Sequence, residues 1–336
     1  LSDEEVFEEE FEEEPLKRLK SVPPDLIKIL KDKGYYTIES LAVEAPHILY
    51  ETVGARPGFT LEKAREIVHE ARNCLKIEII DAKQLYDIEI KRKRFTTGSK
   101  ELDKLLGGGI PEEELTEFAG EYESGKSEIC MTTALLAAEQ GLNTWYLDTE
   151  GGFSSVRLAE MAKTRGLDPD KLLPHIYHGA VYGTEHLLFL LQNAHKPIKE
   201  KNIKILIIDS FVSPFRAEYP GRELLHVRQP LIAKCVRRLL NYMRAYKLAV
   251  ITTEQVMARP EALQYETRPE VLNPPVGGHT LHHAVGHRVY LQKPAGATSK
   301  RLATLVASNY LPRETVEFQI TKAGIEDIPK EEEKKK

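Results

Sequence analysis

Gly120-Glu121-Tyr122-Glu123-Ser124-Gly125-Lys126-Ser127 is the stretch from which the fold is read. It has the spacing G-x-x-x-x-G-K-[ST]. Such a loop wraps phosphates with backbone N–H groups, and a helix N-terminus behind it adds partial positive charge. The motif carries this meaning only between a strand and a helix. Both flanks are present: Leu115–Phe118 is an apolar, strand-like run, and Lys126–Glu139 reads as a helix. The loop therefore predicts a nucleoside triphosphate site in which Lys126 reaches the β- and γ-phosphates and Ser127 ligates Mg²⁺.

Working outward, strand-like runs recur at Thr144–Leu147, Ile203–Ile208, Ala249–Thr253, Arg288–Leu291, Leu302–Val306 and Val316–Ile320. The earlier ones alternate with helical stretches at Ser155–Arg165, Thr184–His195 and His226–Tyr246. Alternation followed by closely spaced strands predicts an α/β fold with a mostly parallel central sheet and antiparallel strands added at its end. Two of these runs end in acids. Asp209 closes Lys204-Ile205-Leu206-Ile207-Ile208-Asp209 and is placed to hold Mg²⁺ through water. Glu150, in Leu147-Asp148-Thr149-Glu150-Gly151-Gly152, lies where a carboxylate could orient and deprotonate an attacking water. The bare pattern around Glu150 suits a surface acid equally well.

The 336 residues, 41% of them hydrophobic, suffice for one large domain and a small one. No apolar run approaches the roughly 20 residues that span a bilayer. The chain opens on acids, with nine Asp or Glu in its first fourteen residues, the opposite of a signal peptide's layout, so a cytosolic protein is expected. That run accounts for the net charge of −5, and the remainder is mildly basic. Charge alone thus neither supports nor excludes a nucleic-acid face. Cys74, Cys130 and Cys235 stand singly without a CxxC pair and are read as small buried hydrophobes. His279, His282, His283 and His287 have no cysteine near them, and a zinc site is not expected there.

Composition divides the chain into an acidic disordered tail (1–15), a helical N-terminal domain (16–75), a linker (76–95), an α/β core (96–328) and a charged tail (329–336). The N-terminal helices are expected at Pro24–Lys33, Thr37–Glu44, Ala45–Val53 and Thr60–Leu75.

From about Leu26 to Asp327 the chain resembles the RadA recombinases of archaea and their eukaryotic relatives, within the RecA-like ATPases. The resemblance rests on five ordered blocks. They are Phe95-Thr96-Thr97-Gly98-Ser99 through Gly107-Gly108-Gly109, Tyr146-Leu147-Asp148-Thr149-Glu150-Gly151, Asp209-Ser210 through Phe215-Arg216-Ala217-Glu218-Tyr219-Pro220-Gly221-Arg222, Gln255-Val256 through Ala258-Arg259-Pro260, and Gly277-Gly278-His279.

The resemblance implies a RecA-like P-loop ATPase core and a small all-α, helix-hairpin-helix-like N-terminal domain. It implies a DNA-dependent ATPase using ATP and Mg²⁺. Glu150 would then be the catalytic glutamate, Lys126 a catalytic cation and Gln255 the sensor coupling the γ-phosphate to DNA. The nucleotide-holding set would run from Gly120 through Ser127 to Glu128, with Arg157 stacked on adenine and His279 and His283 near the phosphates at a subunit boundary. DNA would meet two loops, Glu218–Gln229 and Met257–Val276, through Arg222, Arg228, Arg259 and Arg268. The linker would carry an oligomerisation strand, with Ile79 and Ala82 at the positions of the family's Phe-x-x-Ala. The implied partners are single- and double-stranded DNA, further copies in a helical filament or ring, and recombination mediators, without a membrane. The implied setting is the cytoplasm of an archaeal-type cell, at the nucleoid.

Departures from the family pattern are Ile79 for the aromatic, Ser154-Ser155-Val156 for Arg-Pro-Glu, and Glu254 for the usual Asn. The cap segment Ala307–Pro312 keeps only its last proline, and Ser21-Val22-Pro23-Pro24 replaces a glycine-rich turn. The leading expectation is a recombinase that forms filaments on single-stranded DNA and exchanges strands. The alternatives are a paralogue that binds ATP and DNA without exchange, and a ring helicase sharing the core.

Overall fold

Two short strands, β1 (Arg94–Phe95) and β2 (Ile110–Pro111), pair antiparallel ahead of a nine-stranded sheet. The sheet's strands are β3 (Leu115–Gly120), β4 (Asn143–Asp148), β5 (Ile176–Ala180), β6 (Ile203–Asp209), β7 (Ala249–Glu254), β8 (His287–Gln292), β9 (Lys300–Ser308), β10 (Thr315–Thr321) and β11 (Gly324–Glu326). The computed structural model describes residues 15–42, 44–74, 80–257, 268–275 and 278–329, with 278–280 described as backbone only.

Across the sheet the order is β11-β10-β9-β8-β3-β7-β6-β4-β5. The six strands from β8 to β5 run parallel, and β9, β10 and β11 add antiparallel ones. This is the mostly parallel α/β sheet with antiparallel strands at its end that the sequence predicts. Every residue of β3 and β7 is buried, as parallel strands covered on both faces require. Two strands of this sheet were not expected from the sequence, nor was the short pair β1 and β2. β5 is a half-exposed edge strand containing His178 and Gly179, and β11 is only three residues long.

The chain divides into two compact units, Leu1–Asp81 and Ala82–Lys336. In the first, α1 (Pro24–Asp32), α2 (Ile38–Ala42), α3 (Pro46–Val53) and α4 (Leu61–Cys74) enclose a core that includes Leu16, Leu30, Leu41, Leu49 and Ile67. Proline opens α1 and α3, where its missing N–H costs no hydrogen bond. The turn before α1 is closed by a side chain. Glu70 on α4 accepts from the N–H groups of Lys20 and Ser21 at 2.8 and 2.7 Å. Burial works to raise its pKa, but the bonds from Ser21 and Lys20 outweigh this and the net shift is downward. The expectation for Cys74 is corrected: it ends α4 on the exposed side, while Cys130 and Cys235 are buried.

The second unit opens on α5 (Ala82–Glu89), so Ala82, the last position of the expected oligomerisation strand, begins a helix instead. Ala82-Lys83-Gln84-Leu85-Tyr86-Asp87 contains neither Gly nor Pro, and Lys83 pairs with Asp87 one turn on, which favours helix. Ile79 lies outside the described residues. The sheet is then covered by α6 (Lys100–Leu105), α7 (Lys126–Glu139), α8 (Ser155–Thr164), α9 (Pro169–Leu172), α10 (Thr184–Gln192), α11 (His195–Glu200), α12 (Ser213–Glu218), α13 (Leu225–Tyr246), α14 (Pro269–Leu272) and α15 (Gly278–Ala284). Two hydrophobic clusters result. One gathers α6, α7 and α8 with Phe118, Ile207 and Leu291, and the other gathers α10 and α13 with Leu147, Leu206 and Val250.

One buried ion pair sits inside the sheet. Arg288 of β8 lies beside Glu117 of β3 in register and donates to its Oε2 from Nε and Nη2 at 2.9 and 2.6 Å. Glu117 is fully buried. Removing one partner leaves a buried charge, so Arg288→Leu is expected to cost about 3 kcal/mol in urea unfolding. Glu117→Leu/Arg288→Leu together should recover most of that loss. An equal loss in the double variant would show that packing, and not the stranded charge, sets the effect.

Candidate active site

Strands β3, β7, β6 and β4 are consecutive neighbours and parallel, so their C-terminal ends form one edge. That edge is where open α/β sheets bind ligands. It gathers the Gly120–Ser127 loop after β3, Gln255 after β7, Asp209 at the tip of β6 and Glu150 after β4. The sheet therefore brings together Lys126, Ser127, Glu150, Asp209 and Gln255.

The loop adopts the curled path its glycine permits. Gly125 has φ +104°, and a side chain there would press against Ile320 at 3.0 Å. Lys126 folds back over the loop, its Nζ donating to the carbonyls of Gly120 and Glu121 at 2.9 and 2.8 Å. Burial lowers its pKa, while Asp209 and Glu150 pull it back up. A cation caged beside two carboxylates and aimed along a helix N-terminus suits a polyphosphate. Ser124 is buried, Tyr122 is fully in solvent, and Glu123 pairs with Lys293 at 2.6 Å.

Glu150 accepts from Ser210 Oγ at 3.0 Å and from Gln255 Nε2 at 3.2 Å to each carboxylate oxygen. Asp209 is buried, with Tyr146 donating to Oδ2 at 2.5 Å and Thr253 donating to Oδ1. Each oxygen keeps a further lone pair. The hydroxyl of Ser127 and this carboxylate are hard oxygen donors, the chemistry that Mg²⁺ selects. The residues present fit the ion. A cavity of about 330 Å³ opens beside Glu150, lined also by Ser210, Arg216, Gln255 and Met257.

Glu128 and Arg157 face each other. Arg157 donates from Nε and Nη2 to the two Glu128 oxygens at 3.2 and 3.1 Å, and it also bonds Glu160 and the carbonyls of Thr321 and Lys322. Its edge is occupied, which fixes the plane of the guanidinium. Glu128 thus orients Arg157.

The two arginine-bearing loops begin near this edge. Arg222 is exposed, whereas Arg228, expected on the loop, stands instead in the first turn of α13 and donates to the Tyr219 carbonyl at 2.7 Å. The second loop has paired stems, with Val256 bridging Pro275 and the Met257 N–H donating to Pro274 O at 3.1 Å. Asn273 then reaches the phosphate loop, donating to Glu121 Oε1 at 3.0 Å. Arg268 precedes α14 and is exposed, whereas Arg259 lies outside the described residues. His279 is placed as backbone only, and His283 is exposed on α15. His287 is remote from them in role: it is buried with Ser308 and Tyr310 as partners, and burial pushes its pKa down to about 4.

A family model described as Rad51 matches residues 91–328, the whole α/β core with this edge. The chain is 39% identical over 333 residues to the DNA repair and recombination protein RadA of Ignicoccus hospitalis, covering 96% of this chain and 98% of the relative. The chain belongs to the Rad51 family. A second RadA, from Aeropyrum pernix, is 38% identical over 318 residues, covering 92% of this chain and 95% of the relative.

Within this Rad51-family core, four residues at the edge were not singled out from sequence. Tyr146, Thr253 and Asp148 bond site groups from strand ends, and Arg216 lines the cavity. The first three stand at strand termini or within two residues of them, and those termini were located to within one residue, which is the signal available for them. Among the described residues no helix is long and apolar enough to cross a membrane.

Proposed function

We propose that this chain is an ATP-dependent DNA recombinase that assembles as a filament on single-stranded DNA and promotes pairing and strand exchange in recombinational repair. The observation that carries this is the single edge holding Lys126, Glu150, Asp209 and Gln255, with the stem of the second loop tied to the phosphate loop through Asn273 and Glu121. The names of both RadA relatives support the repair role.

In this reading ATP lies along the Gly120–Ser127 loop, with its base against the fixed face of Arg157. Mg²⁺, held by Ser127 and by Asp209 through water, would neutralise charge on the phosphates. Glu150 takes a proton from water as its oxygen bonds to the γ-phosphorus, and the bond to the β–γ bridging oxygen breaks to leave ADP. Gln255 bonds Glu150 at one end of the second loop, and Asn273 bonds the phosphate loop at the other. DNA binding by that loop would therefore act on both sides of the γ-phosphate. Arg222, Arg228, Arg259 and Arg268 would contact DNA phosphates.

We further propose that the divisions at 1–15, 16–75, 76–95, 96–328 and 329–336 are functional, that Ile79 and Ala82 join neighbouring copies, and that the protein works in the cytoplasm. Extension of the match through the N-terminal unit favours this reading over an assisting paralogue or a ring helicase. The test is electron microscopy with ATP and single-stranded DNA, paired with a strand-exchange assay. Long filaments with exchange are expected. Rings without exchange would replace the reading by a helicase, and neither filaments nor exchange would replace it by an assisting paralogue.

A further inference from the structure

We propose that Asp148 is a positioning residue for Glu150, its carboxylate fixing the loop from which Glu150 reaches the reacting water. This rests on Glu150 being the base. Asp148 ends β4 and lies beside Asp209 of β6 in register. The period of a strand puts it on the same face as Tyr146, which bonds Asp209. One face of β4 therefore serves both site acids, Tyr146 the metal-side carboxylate and Asp148 the base.

The contact is a dense one. Asp148 Oδ1 accepts the backbone N–H groups of Glu150, Gly151 and Gly152 at 3.2, 2.8 and 3.2 Å. Its Oδ2 accepts that of Phe153 at 3.1 Å. Four successive donors converge on one buried side chain, and hydrogen bonds to a carboxylate are about twice as strong as those between neutral groups. Gly151, at φ +75°, permits the curl that turns these N–H groups inward. From the other side, Thr149 donates its N–H to Asp209 O at 2.9 Å and its hydroxyl to Ser210 O at 2.8 Å.

The outer side of Asp148 is covered as well. Phe153 packs on Tyr146 at 5.0 Å and stacks on His178 at 4.6 Å between ring centres. His178 Nε2 lies 3.6 Å from Asp148 Oδ2. By contrast the Glu150 side chain is exposed and bonds only Ser210 and Gln255 among the described residues. Its backbone is what holds it in place. A misplacement of about 1 Å in a reacting group costs on the order of 10²-fold in rate, so the anchor of that backbone governs turnover.

Asp148→Asn keeps the shape but turns an amide N–H toward one of the converging donors. ATP turnover at saturating DNA is expected to fall about tenfold or more, with KM and affinity for a fluorescent ATP analogue within about twofold of the parent. Because Asp148 acts through Glu150, Asp148→Asn/Glu150→Gln should be no slower than Glu150→Gln alone. Parent turnover in Asp148→Asn, or losses that multiply in the double variant, would overturn the proposal while leaving the base intact. Parent turnover in Glu150→Gln would remove the base itself, and this proposal with it. Hydrogen exchange on the unmodified chain gives a check independent of any variant's folding. The amides of Glu150–Phe153 are expected to be protected despite their surface position, and exchange at the rate of an open chain would overturn the anchor.

Discussion

Lys126→Ala is expected to lower ATP turnover by about 10³-fold or more, measured as phosphate release with DNA and ATP saturating. The side chain already shows what it needs. Its Nζ holds two loop carbonyls, Gly120 O and Glu121 O, at 2.9 and 2.8 Å. Burial disfavours its charge, and Asp209 and Glu150 sustain it. Phosphate oxygens, more negative than carbonyls, are better partners for the same ammonium, and the bonds gain strength as charge moves in the transition state. Nucleotide affinity should fall too, because the proposed site has the lysine meeting the phosphates in the ground state. Lys126→Arg separates charge from shape. A planar fork cannot replace a compact ammonium inside a curled loop, so it should stay inactive. Stability gives the internal control: taking away a partly desolvated cation removes a burial penalty, so the melting midpoint should not fall. Turnover in Lys126→Ala within tenfold of the parent would mean that another group supplies the charge.

The sequence was legible where local chemistry and periodicity agree. Ile205-Leu206-Ile207-Ile208 is buried on both sheet faces and reads as a strand at sight, and the acid that ends it marks the ligand edge. The Gly120–Ser127 loop declares both its strand and its helix. The edge strand β5 had no such signal, because an edge carrying His178 and Gly179 is only half covered. The helix α5 inside the linker had no clear signal either, because Ala82–Glu89 mixes apolar and charged residues and leaves Leu85, Tyr86 and Ile88 exposed. Glu150 was a base candidate by its place after a strand, and only the family resemblance favoured that role over a surface acid. Its contacts with Ser210 and Gln255 span about 60 and 105 residues of chain, a proximity that no local pattern encodes. The same holds for Glu70, which occupies the turn donors before α1 from 49 residues away.

Glu150→Gln is expected to bind ATP with near-parent affinity and to hydrolyse it about 10²–10⁴-fold more slowly. Binding should survive because the groups proposed to face the phosphates lie elsewhere: Lys126 and the loop amides after β3, and Asp209 at the tip of β6. The amide is nearly the same size and keeps one oxygen for the Ser210 hydroxyl, which now donates at 3.0 Å. What it lacks is the ability to take a proton. It also brings an N–H₂ group against Gln255 Nε2, which now donates to both carboxylate oxygens at 3.2 Å. That pairing of donors should turn Gln255 away and loosen its hold beside the second loop. Single-turnover hydrolysis isolates the chemical step from product release and is the measurement to make. Filaments on single-stranded DNA should persist in this variant and outlast those of the parent, since the ATP-bound state no longer decays. A single-turnover rate close to the parent's would remove Glu150 as the base. A rate loss accompanied by an equal loss of ATP affinity would recast Glu150 as a binding group.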